Sequence, residues 1–281
     1  MTADPTGVGR TRRETPGRIC AVLGSPIAHS LSPALHRAAY AHLGLDWEYG
    51  RFEVVANELP AFVAGCGPDW RGLSMTMPLK EAALDLGEVD ELARLAGGSN
   101  TLIFDGGVRR LYNTDVGGLV NALTAGGVVA ERATIIGSGA TARSALVSLA
   151  RLGVAEVTVV ARTPAKAAVL VPLAERLGVR VRLQAWEELV GPTDLLVSTV
   201  NAGAVDDRAD ELAGASRCVF DVIYHPWPTP LAQAAVIRER VVLNGLDLLV
   251  HQALLQIELM TESSVPAALL YQTGHTALAI A

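Results

Sequence analysis

Thr134-Ile-Ile-Gly-Ser-Gly-Ala-Thr-Ala142 is the stretch from which the fold of this chain can be read. Thr134 to Ile136 reads as a short buried strand and Gly137, Ser138 and Gly139 as a tight turn, while Ala140 to Leu152 carries small and apolar residues at helical spacing. Two glycines let a backbone come close to a pyrophosphate. Ala142 is small enough for the helix to lie near the strand, and the free amides of a helix N-terminus attract negative charge. The arrangement suits a dinucleotide held by Gly137, Ser138, Gly139, Ala140, Thr141 and Ala142. An ordinary strand-to-helix turn of small residues has the same pattern, so the surrounding sequence must separate the two.

After the glycine turn the pattern repeats, with strands at 157–161, 179–183, 195–198, 218–222 and 240–243 and helices at 140–152 and 165–177. This is the rhythm of a doubly wound, Rossmann-type parallel sheet over residues 119–245. In such a sheet an acidic residue closing the second strand usually takes the adenosine ribose hydroxyls. Here that strand closes with Val159-Val-Ala-Arg-Thr163, and Lys166 follows. Arg162 and Lys166 suit a 2′-phosphate, with Thr163 as a further donor, which favours NADP(H) over NAD. A solvated basic helix start is the plainer reading, but cations are unfavourable at a helix N-terminus unless an anion is bound.

Upstream, residues 18–24 form a continuous apolar strand, after which Ser32 is placed to cap a helix with Pro33 at its first position. Strands are expected at 47–55 and through Leu73 and Met75, and helices at 58–64 and 79–86. Asp105-Gly106-Gly107 marks a hairpin that adds antiparallel strands to this sheet, and Asn113-Thr-Asp115 opens a further helix. Beyond Gly245 only helices follow, at 246–261 and from Pro266, and these are expected to pack back on the first sheet. The fold class is thus α/β, with a mixed-sheet substrate unit (18–118 and 246–281) and a Rossmann cofactor unit (119–245). Residues 1–17, rich in Thr, Pro, Gly and Arg, read as a flexible tail.

A chain of 281 residues, half of them hydrophobic, can bury a large core. Its net charge of -6 argues against a protein that tracks nucleic-acid phosphates. Cys20, Cys66 and Cys218 lack the spacing of a zinc site or a redox pair, which suits reduced core thiols in a cytoplasmic protein. His29, His36 and His42 have no carboxylate or cysteine at a ligand-like interval, so packing or surface roles are expected and no metal. No stretch has the length of a membrane span, and the apolar run after Arg12-Arg13 is too short for an export signal. A homodimer is left open.

Open α/β sheets bind ligands beyond the C-terminal ends of their strands. Ser30 and Ser32 follow the first strand, Thr76 and Lys80 the third, and Asn100 and Asp115 bracket the hairpin. Hydroxyls, an amide, one Lys and one Asp suit a small, polyhydroxylated, anionic molecule, although each alone also serves as a cap or turn former. Lys80 and Asp115 together are harder to dismiss. A carbonyl reduction needs, besides a hydride, a proton donor and charge stabilisation of the nascent alkoxide.

These residues fall in motifs that resemble the shikimate dehydrogenase family over nearly the whole chain from about Arg18. In order they are Gly24-Ser-Pro-Ile-Ala-His-Ser-Leu-Ser-Pro-Ala-Leu-His36, Ser74-Met-Thr-Met-Pro-Leu-Lys80, Gly98-Ser-Asn-Thr101, Asn113-Thr-Asp115, the glycine turn, Ala161-Arg-Thr163, Asp221-Val-Ile-Tyr-His-Pro226 with Thr229-Pro-Leu231, and Asn244-Gly-Leu-Asp-Leu-Leu-Val-His-Gln252. The resemblance implies reversible reduction of 3-dehydroshikimate to shikimate with NADPH, in aromatic amino-acid (chorismate) biosynthesis. It implies that Ser30 and Ser32 hold the substrate carboxylate, with Tyr224 near it. Lys80 and Asp115 would bind a ring hydroxyl and organise proton transfer, Lys80 being the favoured acid/base. Asn100, Thr76 and Gln252 would complete the hydroxyl contacts, and Gly245 and Leu248 would lie at the nicotinamide, in a cleft that closes over substrate.

The chain departs from the family pattern at several positions. Ser74 stands where Asn is usual, as does Arg37 after His36; Ala161 replaces an Asn before Arg162, and Leu248 a frequent Met. Ser74 and Ala161 put no chemical role in doubt, whereas Arg37 and Leu248 are placed to adjust substrate range or cofactor affinity. Relatives acting on quinate or aminoshikimate are the nearest rivals; the paired serines 30 and 32 favour shikimate. A methylene-tetrahydrofolate dehydrogenase would need an aromatic platform for its pterin. A non-catalytic NADPH sensor would need neither Lys80 nor Asp115.

Overall fold

Residues 17–280 are described by the computed structural model, so the expected tail, apart from Gly17, lies outside the described residues. The first sheet holds β1 (Ile19–Gly24), β2 (Glu48–Glu53), β3 (Trp70–Met75), β4 (Glu88–Val89), β5 (Thr101–Asp105) and β6 (Val108–Tyr112), in the order β2-β1-β3-β5-β6-β4. β1 runs parallel to β2 and β3, while β5 is antiparallel to β3 and β6, so the expected hairpin makes the sheet mixed. Gly106 and Gly107 turn it with φ of 57° and 90°, a region that side chains with a Cβ rarely enter.

The run 19–24 is apolar throughout because both faces of β1 are covered. Ala21 and Leu23 pack with Leu59, Val63 and Leu73 on one side, and Cys20 and Val22 with Tyr40, Tyr49 and Met260 on the other. Helices α1 (Ser32–Leu43), α2 (Leu59–Ala64), α3 (Glu91–Ala96) and α4 (Thr114–Ala125) complete this part. Ser32 is not the cap of α1: Leu31 occupies that position, and the Ser32 N–H donates to Ser30 Oγ at 3.3 Å. The Ser30 hydroxyl thereby does the local work expected of Ser32. The helix expected at 79–86 is a 3₁₀ turn over Ala82–Leu86.

The second sheet comprises β7 (Arg132–Ile136), β8 (Glu156–Ala161), β9 (Arg180–Ala185), β10 (Thr193–Ser198), β11 (Ser216–Asp221) and β12 (Val241–Asn244). Its order, β12-β11-β10-β7-β8-β9, and its parallel pairings make it doubly wound. Successive residues again divide between faces: Leu195, Val197 and Phe220 enter one core, Leu196 and Val219 the other. Each such side chain stabilises the fold by about 1.5–3 kcal/mol.

Helix α5 (Ala140–Arg151) follows β7 as expected, but the single helix expected at 165–177 is two, α6 (Pro164–Ala167) and α7 (Leu170–Leu177). Pro172 is the reason. It has no N–H to offer the Ala168 carbonyl, which accepts instead from Val171 at 3.1 Å, and the helical ladder breaks there. Helices α8 (Ala209–Ala215) and α9 (Pro230–Ile237) were not expected, although Thr229, whose hydroxyl accepts from Ala232 N at 3.1 Å, and Pro230 form a start signal for α9.

Helices α10 (Gly245–Thr261) and α11 (Ala267–Leu278) return to the first sheet, where Leu246, Val250, Ile257 and Leu270 pack with Leu31, Leu35 and Ala39 of the α1 region. Asn244 and Asp247 form a reciprocal capping box at the start of α10. α10 crosses α4 closely: a Cβ at Gly118 would stand 2.8 Å from the Gln252 backbone nitrogen. This crossing brings the first turn of α4 beside the middle of α10.

A buried polar column runs below that crossing. Gln256 Nε2 donates to the Asn100 carbonyl at 3.2 Å and to Thr101 Oγ1 at 2.9 Å, so its Oε1 faces Ser74 Oγ at 2.8 Å and His36 Nε2 at 3.3 Å. Tyr49 closes it, donating to Ser74 Oγ at 2.6 Å and stacking on His36. With Nε2 carrying the proton, His36 is neutral, and burial pushes its pKa from 6.5 down to about 3. Between those values the unfolded chain binds a proton that the folded chain does not, so this group's effect is absent above pH 6.5 and destabilises progressively as the pH falls towards 3. Denaturant unfolding at a series of pH values should show it. In His36→Asn the decline of stability with acidification should be shallower than in the parent chain, by up to about 1.4 kcal/mol per pH unit. Parallel declines would place the proton elsewhere.

Candidate functional site

A cavity of about 250 Å³ opens where the C-terminal ends of β1 and β3 face residues that follow β11 and β12. The structure brings to its wall Ser30, Ser32, Thr76, Lys80, Asn100, Asp115, Tyr224, Gly245, Leu248 and Gln252. Lys80 Nζ donates to Asp115 Oδ2 at 2.7 Å, and the two side chains are 15% and 9% exposed. The other carboxylate oxygen, Oδ1, accepts from Asn100 Nδ2 at 2.9 Å. Asn100 cannot be turned round: its Oδ1 accepts the Thr114 backbone N–H at 2.8 Å, so its NH₂ must face Asp115 and, at 3.4 Å, Gln252 Oε1. The result is an ammonium, a carboxylate and two amides held together before any ligand arrives.

Gly245 has to be glycine, since a Cβ there would lie 2.1 Å from the Val222 carbonyl oxygen. That approach lets the start of α10 close one side of the cavity. Burial raises the Tyr224 phenol pKa, keeping it a neutral donor. His29, Ser74 and Gln256 also line the cavity and were not singled out from sequence as ligand contacts. Gln256 could have been found, because it lies one helical turn beyond Gln252 on the same face of α10. Arg37 lies elsewhere: its guanidinium donates to the Tyr49 carbonyl at 3.0 and 2.7 Å and ties α1 to β2.

A second cavity, about 210 Å³, lies beyond the C-terminal ends of β7 and β8, with Gly137, Ser138, Arg162, Thr163 and Lys166 in its wall. Gly137 has φ of 110°, and a Cβ on it would meet Thr199 Oγ1 at 2.6 Å. The N-terminus of α5 has no side-chain cap and no acidic residue in its first turn, so its amides remain free for an anion. Of the remaining turn residues, Gly139 is exposed, Ala140 and Thr141 are half-buried and Ala142 is buried in the core; these four do not line the cavity. An uncapped helix N-terminus, a glycine turn and a cationic margin fit the diphosphate and 2′-phosphate of NADP(H).

Arg143, on the first turns of α5, spans from one part to the other. It donates to the Ala96 carbonyl at 2.8 Å and pairs with Glu81, the residue after Lys80. A larger cavity of about 370 Å³ lies at the opposite, N-terminal ends of β7 to β9 among Arg132, Glu156 and Arg180. Its arginines are engaged by carboxylates in part, and it lies at the end where open sheets do not bind ligands. Among the described residues no group of His, Cys, Asp or Glu could hold a metal ion.

Known proteins share this architecture. Residues 22–102 match the family described as "Shikimate dehydrogenase substrate binding domain", and residues 121–219 the one described as "Shikimate / quinate 5-dehydrogenase". The crystal structure of a shikimate 5-dehydrogenase from Mycobacterium fortuitum superposes with a TM-score of 0.85 at 44% identity, covering 92% of this chain and 98% of that one. A shikimate 5-dehydrogenase from Thermus thermophilus, solved with NADP(H) and shikimate, has a TM-score of 0.82 at 31% identity over 92% of this chain and 99% of its own. The shikimate dehydrogenase (NADP(+)) of Methanothermobacter thermautotrophicus is 33% identical over 261 residues, which cover 88% of this chain and 92% of the relative. With the same fold and this similarity along its length, the chain belongs to the shikimate dehydrogenase family.

Proposed function

We propose that this chain catalyses the reversible, NADPH-dependent reduction of 3-dehydroshikimate to shikimate. The observation that carries the reading is the 2.7 Å contact between Lys80 and Asp115 in the wall of a cleft lined by hydroxyls and amides. NADPH, when bound, supplies the hydride. Residues 119–245 hold it, with Gly137 and Ser138 allowing close approach of the diphosphate and Arg162, Thr163 and Lys166 taking the 2′-phosphate. Residues 18–118 with 246–281 hold the substrate: Ser30 and Ser32 donate to its carboxylate, assisted by Tyr224, and Thr76, Asn100 and Gln252 to its hydroxyls.

Lys80 is the proton donor to the carbonyl oxygen as that oxygen gains charge, and its ammonium stabilises the alkoxide before transfer. Asp115, fixed by Asn100, accepts a ring hydroxyl and keeps the Lys80 amine aimed at the reacting oxygen. In the reverse direction the neutral amine takes the proton back. Every group named in the scheme comes from one chain, and the reading leaves room for a homodimer. Free Cys20, Cys66 and Cys218 suit the cytoplasmic location included in this reading. Among the described residues no helix is long and apolar enough to cross a membrane.

The lysine is the decisive test. Lys80→Ala should lower the rate of shikimate-dependent NADP⁺ reduction roughly a hundred- to ten-thousand-fold, with NADPH affinity nearly unchanged; undiminished turnover would reject its role. For the cofactor site, Arg162→Ala should weaken NADP⁺ by about ten- to a hundred-fold and leave NAD⁺ nearly untouched. Equal losses for both dinucleotides would mean that the 2′-phosphate is held somewhere else.

A further inference from the structure

The groups assigned so far to the second cavity contact phosphates; none of them receives the base. Besides its cations the cavity wall includes the apolar residues Val160, Val200 and Ala204 and the indole-bearing Trp186. Trp186 follows β9 directly and is half-buried. Its turn is rigid: Gln184 Nε2 donates to the Glu188 and Leu189 carbonyls, both at 3.2 Å, and the Ala185 N–H donates to Glu188 Oε1 at 3.1 Å.

One face of the Trp186 ring is already covered. The Arg208 guanidinium carbon lies 4.5 Å from the ring centroid, and the Arg208 side chain is only 11% exposed. That guanidinium cannot swing away. It is held by the Glu211 carboxylate through Nε at 2.8 Å and Nη2 at 2.5 Å, and it donates to the carbonyls of Glu188, at 2.8 Å, and Trp186. A cation stacked on an indole both attracts it and fixes its plane. The ring is therefore set in place before a ligand binds, and Trp186 lines the cavity, so little side-chain entropy is lost when a flat group packs on it.

We propose that Trp186, held by Arg208, is the wall on which the purine base of the dinucleotide packs, while Arg162 and Lys166, in the wall of the same cavity, take the phosphate. This inference rests on the NADP(H) reading of that cavity. It differs from the phosphate assignment in what it discriminates: the base is common to NADP⁺ and NAD⁺, so Trp186 contributes to both alike, whereas Arg162 separates them.

The test is calorimetric titration of the full chain with adenosine 2′,5′-bisphosphate, NADP⁺ and NAD⁺, together with tryptophan emission. Trp186→Ala should weaken all three by roughly ten- to a hundred-fold, with shikimate binding unchanged, and Trp186→Phe, which keeps a flat ring, should stay within about threefold of the parent. Adenosine 2′,5′-bisphosphate should quench the emission of the parent chain and leave that of Trp186→Phe unaltered. The proposal is overturned if Trp186→Ala binds the bisphosphate as the parent does, if Trp186→Phe still shows the quench, or if shikimate affinity falls equally. Failure of the parent itself to bind the bisphosphate would instead overturn the NADP(H) reading, and this inference with it.

Discussion

The cleft depends on the side chain of Asn100. Its backbone N–H donates to the Tyr112 carbonyl at 3.1 Å and its own carbonyl accepts from Met75 at 2.8 Å, so the residue is fixed where β3, β5 and β6 meet. Its carboxamide then holds the start of α4 through Thr114 and Asp115. A buried carboxylate is tolerated only when its oxygens are satisfied, and leaving one bare costs about 1–3 kcal/mol. Asn100 satisfies one oxygen and Lys80 the other. The ammonium is held in turn by the carboxylate, so the Lys80–Asp115 pair, to which we assign the proton transfer, is positioned by an amide.

The same residue joins the first sheet to the C-terminal helix. Gln256 reaches the Asn100 carbonyl from α10, and the close crossing at Gly118 keeps α10 near α4. Across the cleft, Arg143 performs a related task between the helix of the glycine turn and the segment bearing Lys80.

Much of the fold was legible because strands buried on both faces are apolar throughout: residues 19–24, 135–136 and 218–220 announced themselves, and the glycine turn marked the passage from β7 to α5. What escaped depended on contacts across the chain. Pro172 lies inside an otherwise helical pattern, and only its missing bond to Ala168 shows where the helix divides. Ser32 had the look of a cap, yet the chain enters α1 one residue earlier. In the cleft, residues at the ends of strands could be named from their position. Gln256 was within reach only through its spacing from Gln252, and Ser74, like Trp186 in the second cavity, was not, since a hydroxyl and an indole gain meaning from the partners that folding gives them.

The account requires that the pocket recognise one polyhydroxylated carboxylate and one phosphorylated dinucleotide together. The most direct measurement is a spectrophotometric comparison of shikimate, quinate and aminoshikimate as hydride donors, each with NADP⁺ and with NAD⁺, at matched concentrations. Shikimate with NADP⁺ should exceed every other pair in kcat/KM. A higher value for quinate or aminoshikimate, or for NAD⁺ with any of the three, would contradict it.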